Sequence, residues 1–153
     1  MASDDAASRH AWAEPGVETV APGVHRIPLP LPMDGLRAVN VYAIEDGDGL
    51  VLVDGGWALD VSRELLERSL ADLGHRLADI RRVLVTHVHR DHYTQAVAIR
   101  RAVGAEVSLG IEEEESVRDL MRGTTGMLAS QPERLRRLGA GALADELDAI
   151  PVH

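Results

Sequence analysis

The order of apolar patterns along the chain predicts an α/β fold. Short strand-like runs of Val, Leu and Ile fill the first third, and strand-like and helix-like segments then alternate until about residue 109. Alternation of this kind is typical of a sheet that is covered by helices. With 153 residues, of which 45% are hydrophobic and 27% charged, the chain has the length and composition of one ordinary globular domain.

The predicted elements are bounded by turn residues and by changes of apolar period. Strands are predicted at residues 17–20, 24–29, 40–45, 50–53, 80–85 and 105–109. Helices are predicted at residues 60–73, 92–103 and 111–121, followed by a helix or helix pair over 132–150 that is broken or bent near Gly139-Ala140-Gly141. Because residues 1–16 are polar and acidic, we predict a flexible tail (1–16) before the domain (17–153).

Proline decides the prediction for the segment after the second strand. Pro28, Pro30 and Pro32 alternate there with Leu29 and Leu31. Because proline has no backbone N–H to donate, this segment cannot be a central strand and is predicted to be an edge strand or a surface loop.

The region from the first hairpin to the first helix carries several turn signals. Two strands flank Asp46-Gly47-Asp48-Gly49, a sequence that suits hairpin turns. The second of them ends in Asp54-Gly55-Gly56, where two glycines allow a sharp turn and a close approach of the backbone to another segment. The helix that follows has Asp60 or Ser62 as its candidate N-terminal cap and Gly74 at its expected end.

The segment His87-Val88-His89-Arg90-Asp91-His92, called the motif, places three histidines and one aspartate within six residues after a buried strand. Imidazole is the commonest side-chain ligand for zinc, and a carboxylate can bind a second metal. Alternate side chains of an extended segment face the same way, so His87 and His89 can reach one ion, and Asp91 and His92 point to a second position. The alternative is a polar, histidine-rich loop that binds nothing.

The donor set of the motif suits one or two Zn²⁺ ions, with Fe, Mn or Co also compatible with nitrogen and oxygen ligands. A bound metal lowers the pKa of its water towards neutrality and yields a hydroxide nucleophile. Asp91 can orient that water and move its proton. The predicted reaction is hydrolysis of an ester, thioester, lactone, amide or phosphoester.

The segment Thr86–His92 resembles the signature of the metallo-β-lactamase-fold hydrolases. The residues Val53-Asp54-Gly55-Gly56 resemble the second landmark of that family, an Asp-Gly turn packed under the metal loop. The order of elements over residues 17–109 is similar to the N-terminal half of its αββα sandwich. The resemblance therefore implies an α/β fold of this type, of which the chain carries the N-terminal half and added helices.

The same resemblance implies a role for each residue of the motif. It implies that His87 and His89 bind the first metal and that Asp91 and His92 bind the second. Asp91 is also implied as the catalytic residue that positions the attacking hydroxide. Asp54 is implied as a support for the metal loop, and no organic cofactor is expected.

The chain departs from the family pattern in two places. Many members have glycine two residues after the last motif histidine, where this chain has Thr94. The family also completes its sites with a further His, a bridging Asp and a final His, whereas the only histidine after His92 is His153. We interpret the chain as a fragment of a longer hydrolase or as a truncated, catalytically incompetent half-fold that acts, if at all, through self-association or a partner.

Two aromatic residues border the landmarks of the family. Trp57 follows the Asp-Gly-Gly turn and is predicted either to line a substrate pocket or to pack against the core. Tyr93 follows the motif and is predicted either to support the ligands or to pack in the core.

Composition argues against several other classes of protein. A net charge of −9 lacks the basic footprint of a nucleic-acid binder, and the absence of cysteine excludes disulfides and thiolate metal sites. No apolar run reaches the length of a membrane span, and the N-terminus lacks the order of a signal peptide. We expect a cytoplasmic protein without membrane contact, whose partners are a small-molecule substrate and either a second copy or a missing C-terminal half.

Overall fold

The computed structural model describes residues 11–32, 35–121 and 131–148. The chain forms two compact units, unit 1 with residues 1–111 and unit 2 with residues 112–153. The predictions for residues 1–10 of the tail, for the helix beyond residue 148 and for His153 lie outside the described residues.

Unit 1 contains a six-stranded sheet whose strands lie side by side in chain order. The strands are β1 (Glu18–Ala21), β2 (Val24–Pro30), β3 (Ala38–Asp46), β4 (Gly49–Val53), β5 (Ile80–Val85) and β6 (Glu106–Leu109). Strands β1 to β4 are antiparallel, whereas β5 and β6 add in parallel. Helices α1 (Asp60–Asp72) and α2 (Arg90–Val103) connect the parallel strands, as such crossovers require. The predicted α/β class is confirmed.

The core of unit 1 lies between one face of the sheet and the two helices. Ala43, Leu52 and Val83 are register partners on neighbouring strands, and all three are fully buried. Leu66 of α1 and Ile99 of α2 are fully buried in the same cluster. Each fully buried side chain of this size stabilises the fold by about 1.5–3 kcal/mol. This packing holds β4 beside β5, and therefore brings together the loops that follow these two strands.

The opposite face of the sheet carries charged residues such as Arg82 and a group of apolar residues that are less buried than the core. Tyr42, Val53 and Leu84 are register partners on this face, and Leu84 is 39% exposed. The apolar residues of this surface, called the second face, are Tyr42, Ile44, Val51, Val53 and Leu84. The sheet thus has one face that is packed by its own helices and one that keeps apolar area in contact with solvent.

The proline-rich segment continues β2 as an edge, in agreement with the prediction. Strand β1 pairs with β2 only as far as Arg26, so Pro28 and Pro30 have β3 on one side alone. Leu31 donates its N–H to the carbonyl of Arg37 on the β3 side, at 2.9 Å. Because N–H directions alternate along a strand, the positions where the prolines lack an N–H face the side without a partner strand.

The N-terminus of α1 differs from the prediction. Leu59 is the N-cap residue, and no side chain caps the helix. Ser62 is buried, and its hydroxyl donates to the carbonyl of Pro30 at 3.2 Å, so a contact with β2 uses the group that was expected to cap. The prediction that Asp60 or Ser62 caps this helix is therefore wrong. The predicted stop is confirmed, since Gly74 follows the helix with a φ of +81°.

The described residues of unit 2 are mainly helical. They form α3 (Glu114–Met121), α4 (Gln131–Arg137) and α5 (Gly141–Asp148). Gly139, with a φ of +81°, lies in the turn between α4 and α5, where a break was predicted. Arg136 joins the two helices through ion pairs of 2.7 Å with Asp145 and Asp148. Among the helices described, none is long and apolar enough to cross a membrane.

Candidate metal centre

The motif occupies the connection between β5 and α2. Helix α2 begins at Arg90, two residues earlier than predicted. His87 and His89 therefore precede the helix, whereas Asp91 and His92 belong to its first turn. This connection lies at the carboxyl end of a parallel strand, where α/β proteins usually bind their ligands.

The four predicted ligands lie close together. The ring centroid of His87 is 4.4 Å from that of His89 and 4.1 Å from that of His92. The Oδ2 atom of Asp91 is 3.5 Å from Nε2 of His92. The motif therefore brings three imidazoles and a carboxylate into one cluster.

Asp54 supports this cluster from the end of β4. Its carboxylate accepts hydrogen bonds from the Thr86 backbone N–H at 2.8 Å and the Thr86 hydroxyl at 3.0 Å. Its Oδ2 atom lies 2.8 Å from Nδ1 of His92. Asp54 is buried and has a φ of +62°. Among the described residues it is the one non-glycine residue with a positive φ. This left-handed conformation costs about 1–3 kcal/mol and turns the carboxylate beneath the motif, in the supporting position that the resemblance implies.

The hydrogen bonds around Asp54 also select the tautomers of two imidazoles. Because the carboxylate can only accept, Nδ1 of His92 carries the proton and Nε2 is left as the electron-pair donor. The Thr86 hydroxyl donates to Asp54 and lies 2.9 Å from Nδ1 of His87, from which it can accept. Burial lowers the pKa of His87, and the neighbouring His92 and His89 lower it further. A neutral imidazole is the form that binds metal.

The support loop, residues 54–58, packs tightly against the first turns of α2. The N–H of Gly55 donates to the carbonyl of His92 at 2.9 Å. A Cβ atom at Gly55 would lie 2.5 Å from the backbone nitrogen of Ala96. Gly56 has a φ of +87°, and a Cβ atom there would lie 2.6 Å from the side chain of Leu29. The predicted close approach of the two glycines to another segment is confirmed.

Two residues of α2 that the sequence did not single out as functional also hold the support loop. The Thr94 hydroxyl accepts from the N–H of Ala58 at 2.9 Å. Gln95 donates its backbone N–H to Gly56 O at 3.1 Å and its Nε2 to Gly55 O at 2.8 Å. The one available signal was the departure from glycine at Thr94, since nothing in the sequence marks Gln95.

Trp57 belongs to the support loop and contacts the motif through Arg90. The guanidinium carbon of Arg90 lies 5.2 Å from the Trp57 ring centroid, within the range of a cation–π contact. Trp57 and Tyr93 are both half-buried and pack against the core. The packing alternative predicted for each residue is therefore confirmed.

The donor atoms of the cluster fit zinc in kind, and the bond from His92 to Asp54 matches the usual pattern in which a ligating imidazole donates its second N–H to a carboxylate. In residues 11–32, 35–121 and 131–148, however, no three His, Asp or Glu side chains are arranged to hold a single ion. The motif by itself therefore does not complete a zinc site, which uses at least three protein ligands per ion.

Comparison with known proteins identifies the family and the fold. The profile of the metallo-beta-lactamase superfamily matches residues 34–152. A metallo-beta-lactamase family protein from Thermus thermophilus is 29% identical with a TM-score of 0.67, over 80% of this chain and 40% of that protein. The probable metallo-hydrolase YqjP of Bacillus subtilis is 36% identical over 67 residues, which are 44% of this chain and 20% of YqjP. A metallo-beta-lactamase of Cronobacter sakazakii, 24% identical, shares the fold with a TM-score of 0.55 over 71% of this chain and 39% of that one.

The chain belongs to the metallo-beta-lactamase superfamily, a hydrolase-type family whose members typically bind metal ions. The predicted family and fold type are confirmed. The chain spans less than half the length of the Thermus thermophilus and Cronobacter sakazakii proteins that it matches.

Proposed function

We propose that this chain carries the metal-binding motif of a metal-dependent hydrolase. The observation that supports the proposal is a cluster of three imidazoles at the end of β5, next to the buried carboxylate of Asp54. The ring centroid of His87 lies 4.4 Å from that of His89 and 4.1 Å from that of His92. The ion we propose is Zn²⁺, one or two per site, with Fe or Mn as the alternatives that nitrogen and oxygen donors accept.

Each residue of the cluster has a proposed task. His87 and His89 hold the first ion, and Asp91 and His92 hold the second. When bound, the metal supplies a Lewis acid and an activated water near neutral pH. Asp91 orients the attacking water and accepts its proton. Asp54 keeps the imidazole of His92 in the tautomer whose Nε2 faces the site.

The proposed substrate is a small molecule with an ester, thioester, lactone or amide bond, in the cytoplasm. An activated water attacks each of these groups at a carbonyl carbon, and the choice among them depends on pocket residues rather than on the fold. The acidic chain, with a net charge of −9, favours a small molecule over a nucleic acid.

Metal analysis tests the proposal directly. Replacing His87 and His89 together with Ala removes both proposed ligands of the first ion, so zinc per chain after equilibration, measured by elemental analysis, should fall by at least half. The variant His75→Ala, which removes an imidazole outside the motif, should retain the wild-type content. Because each ion has only two ligands identified, we expect weak affinity and little turnover of ester, lactone and thioester panels. Unchanged metal content in the double variant contradicts the assignment.

A second candidate function is that of an inactive half-fold that acts by self-association, and the second face favours it. Covering apolar surface contributes about 25 cal/mol per Å² before the cost of association. Leu84, on the β5 side of this face, is 39% exposed. We expect light scattering to detect assemblies of the wild-type chain. The variant Leu84→Asp should raise their dissociation constant by at least tenfold. Leu143→Asp, at another exposed leucine (49%) in α5, is the control and should leave the assemblies intact. A monodisperse wild-type monomer with a cooperative melt excludes this candidate.

A further inference from the structure

We propose that Thr94 and Gln95 are positioning residues of the metal centre. They hold the support loop against α2 and so keep Asp54 beneath His92. This inference rests on the proposed function, because its purpose is the alignment of a metal ligand. It concerns residues that act through Asp54 and do not themselves contact a metal.

Four hydrogen bonds form this clamp, and each has one end on the first turns of α2. Three run from the support loop to Thr94 or Gln95, with distances of 2.8–3.1 Å. In the fourth, the Thr94 hydroxyl donates to the carbonyl of Arg90 at 2.6 Å. A single hydroxyl thus connects the loop that holds Asp54 to the residue between two motif ligands.

The clamp acts one residue away from the carboxylate that it positions. Gly55 donates its N–H to His92 O, and its own carbonyl accepts from Gln95 Nε2 at 2.8 Å. Asp54 precedes Gly55 directly and is held at a φ of +62°. Because this conformation is unfavourable for a residue with a side chain, the loop needs contacts outside itself to keep it. Loosening Gly55 therefore permits the Asp54 carboxylate to leave Nδ1 of His92.

The environment of Gln95 separates a positioning role from a merely structural one. Gln95 is 1% exposed, and among the described residues its Oε1 atom has no hydrogen-bond partner. Leucine at this position removes that unmet acceptor but leaves the carbonyl of Gly55 unmet instead. Because one unsatisfied oxygen replaces another, the thermal stability of Gln95→Leu should change little. The hydrogen bond from the Gln95 side chain to the support loop is nevertheless lost.

The test compares zinc affinity and local protection across a small set of variants of this chain. Gln95→Leu removes the side-chain bond to Gly55, and Thr94→Val removes the hydroxyl while keeping the shape. Thr94→Ser restores the hydroxyl. Thr19→Val is the matched control, because the Thr19 hydroxyl bonds to His25 at 3.0 Å, remote from the motif along the chain. Zinc affinity is measured by competition with a chromophoric chelator, and amide hydrogen exchange at Gly55 is measured without metal.

We expect the double variant Thr94→Val/Gln95→Leu to bind zinc about 10–100-fold more weakly, the effect typical of residues that orient a ligand. The Gly55 amide of the double variant should exchange at least tenfold faster than in the wild type. The zinc affinity of Thr94→Ser and of Thr19→Val should stay within about threefold of the wild-type value, well below the effect expected for the double variant. If the double variant fails to fold, Thr94→Val alone decides through the same two readouts, since its bond to Ala58 lies at the surface.

The outcomes distinguish this inference from the proposed function. A wild-type chain that binds no zinc overturns the function, and the exchange of Gly55 then still decides whether the clamp exists. A wild-type chain that binds zinc, with variants that bind it equally well and protect Gly55 equally, overturns the clamp and leaves the function standing.

Discussion

The loops that follow β4 and β5 meet at the same edge of the sheet but contribute different things to the centre. The loop after β5 carries His87 and His89, side chains whose chemistry is visible in the sequence. The support loop after β4 carries one carboxylate and two glycines. Asp54 has a positive φ, and a Cβ atom at Gly55 would lie only 2.5 Å from the backbone nitrogen of Ala96. One loop supplies donor atoms and the other supplies their alignment.

Because of this difference, we expect substitutions in the two loops to affect the stability of the fold to different extents. Of the motif histidines, His87 is half-buried and His89 is exposed, and both can be replaced at small cost to the fold. The support loop is buried at its start and has no room for added atoms. Changes in the support loop should therefore lower the free energy of unfolding even without metal, and changes of the His87 and His89 imidazoles should not.

The largest effect is expected for Asp54→Ala. It leaves the Thr86 backbone N–H and the His92 ring N–H without their acceptor, and each such unmet, partly buried donor costs about 1–3 kcal/mol. We expect the metal-free free energy of unfolding, measured in urea, to fall by about 3 kcal/mol. Asp54→Asn keeps an acceptor oxygen and tolerates a positive φ, so it should lose about half as much. A loss below about 1 kcal/mol for Asp54→Ala contradicts the supporting role.

A smaller effect is expected for Gly55→Ala. Its added methyl group would lie 2.5 Å from the backbone nitrogen of Ala96, so the loop or α2 must shift. Overpacking of this kind costs about 2 kcal/mol, measured by the same urea denaturation. Gly110→Ala is the matched control, because nothing lies within 4 Å of its Cβ position, and it should stay within about 0.5 kcal/mol. Equal stability of the two variants would remove the contrast between the loops.

The smallest effect is expected for Thr86→Val, which removes a hydrogen bond between the two loops. It removes the hydroxyl that bonds to Asp54 at 3.0 Å and lies 2.9 Å from Nδ1 of His87, while the backbone bond remains. We expect a loss of about 1 kcal/mol in unfolding free energy, recovered by Thr86→Ser. A loss that serine does not recover would assign the effect to packing rather than to the hydroxyl.

The features predictable from the sequence are those encoded by neighbouring residues. The apolar period predicts all six strands to within two residues at their described ends, and the spacing of His87, His89 and His92 predicts their proximity. The glycines after Asp54 predict a close approach, although not the segment that they approach. Local patterns suffice here because strand alternation and turn chemistry act over a few residues.

The features missed are those set by contacts between distant segments. The bond from Gln95 to Gly55 spans 40 residues, and an interior glutamine carries no local signal of its partner. Ser62 was expected to cap α1, but its hydroxyl reaches Pro30, 32 residues away. Polar side chains choose among several acceptors, and only the tertiary fold decides which of them is near.

The long reach of Asp54 has a consequence for the order of folding. Its bonds to Thr86 and His92 span 32 and 38 residues, so the loop that they close must form before His92 has its partner. Closing a chain segment of this length costs entropy, which the pairing of β4 with β5 helps to offset. The histidines are neighbours along the chain, and we expect the aligned cluster to form only once this long-range contact is made. A metal that prefers the aligned cluster therefore binds the native state in preference to its precursors, and its concentration shifts the folding equilibrium.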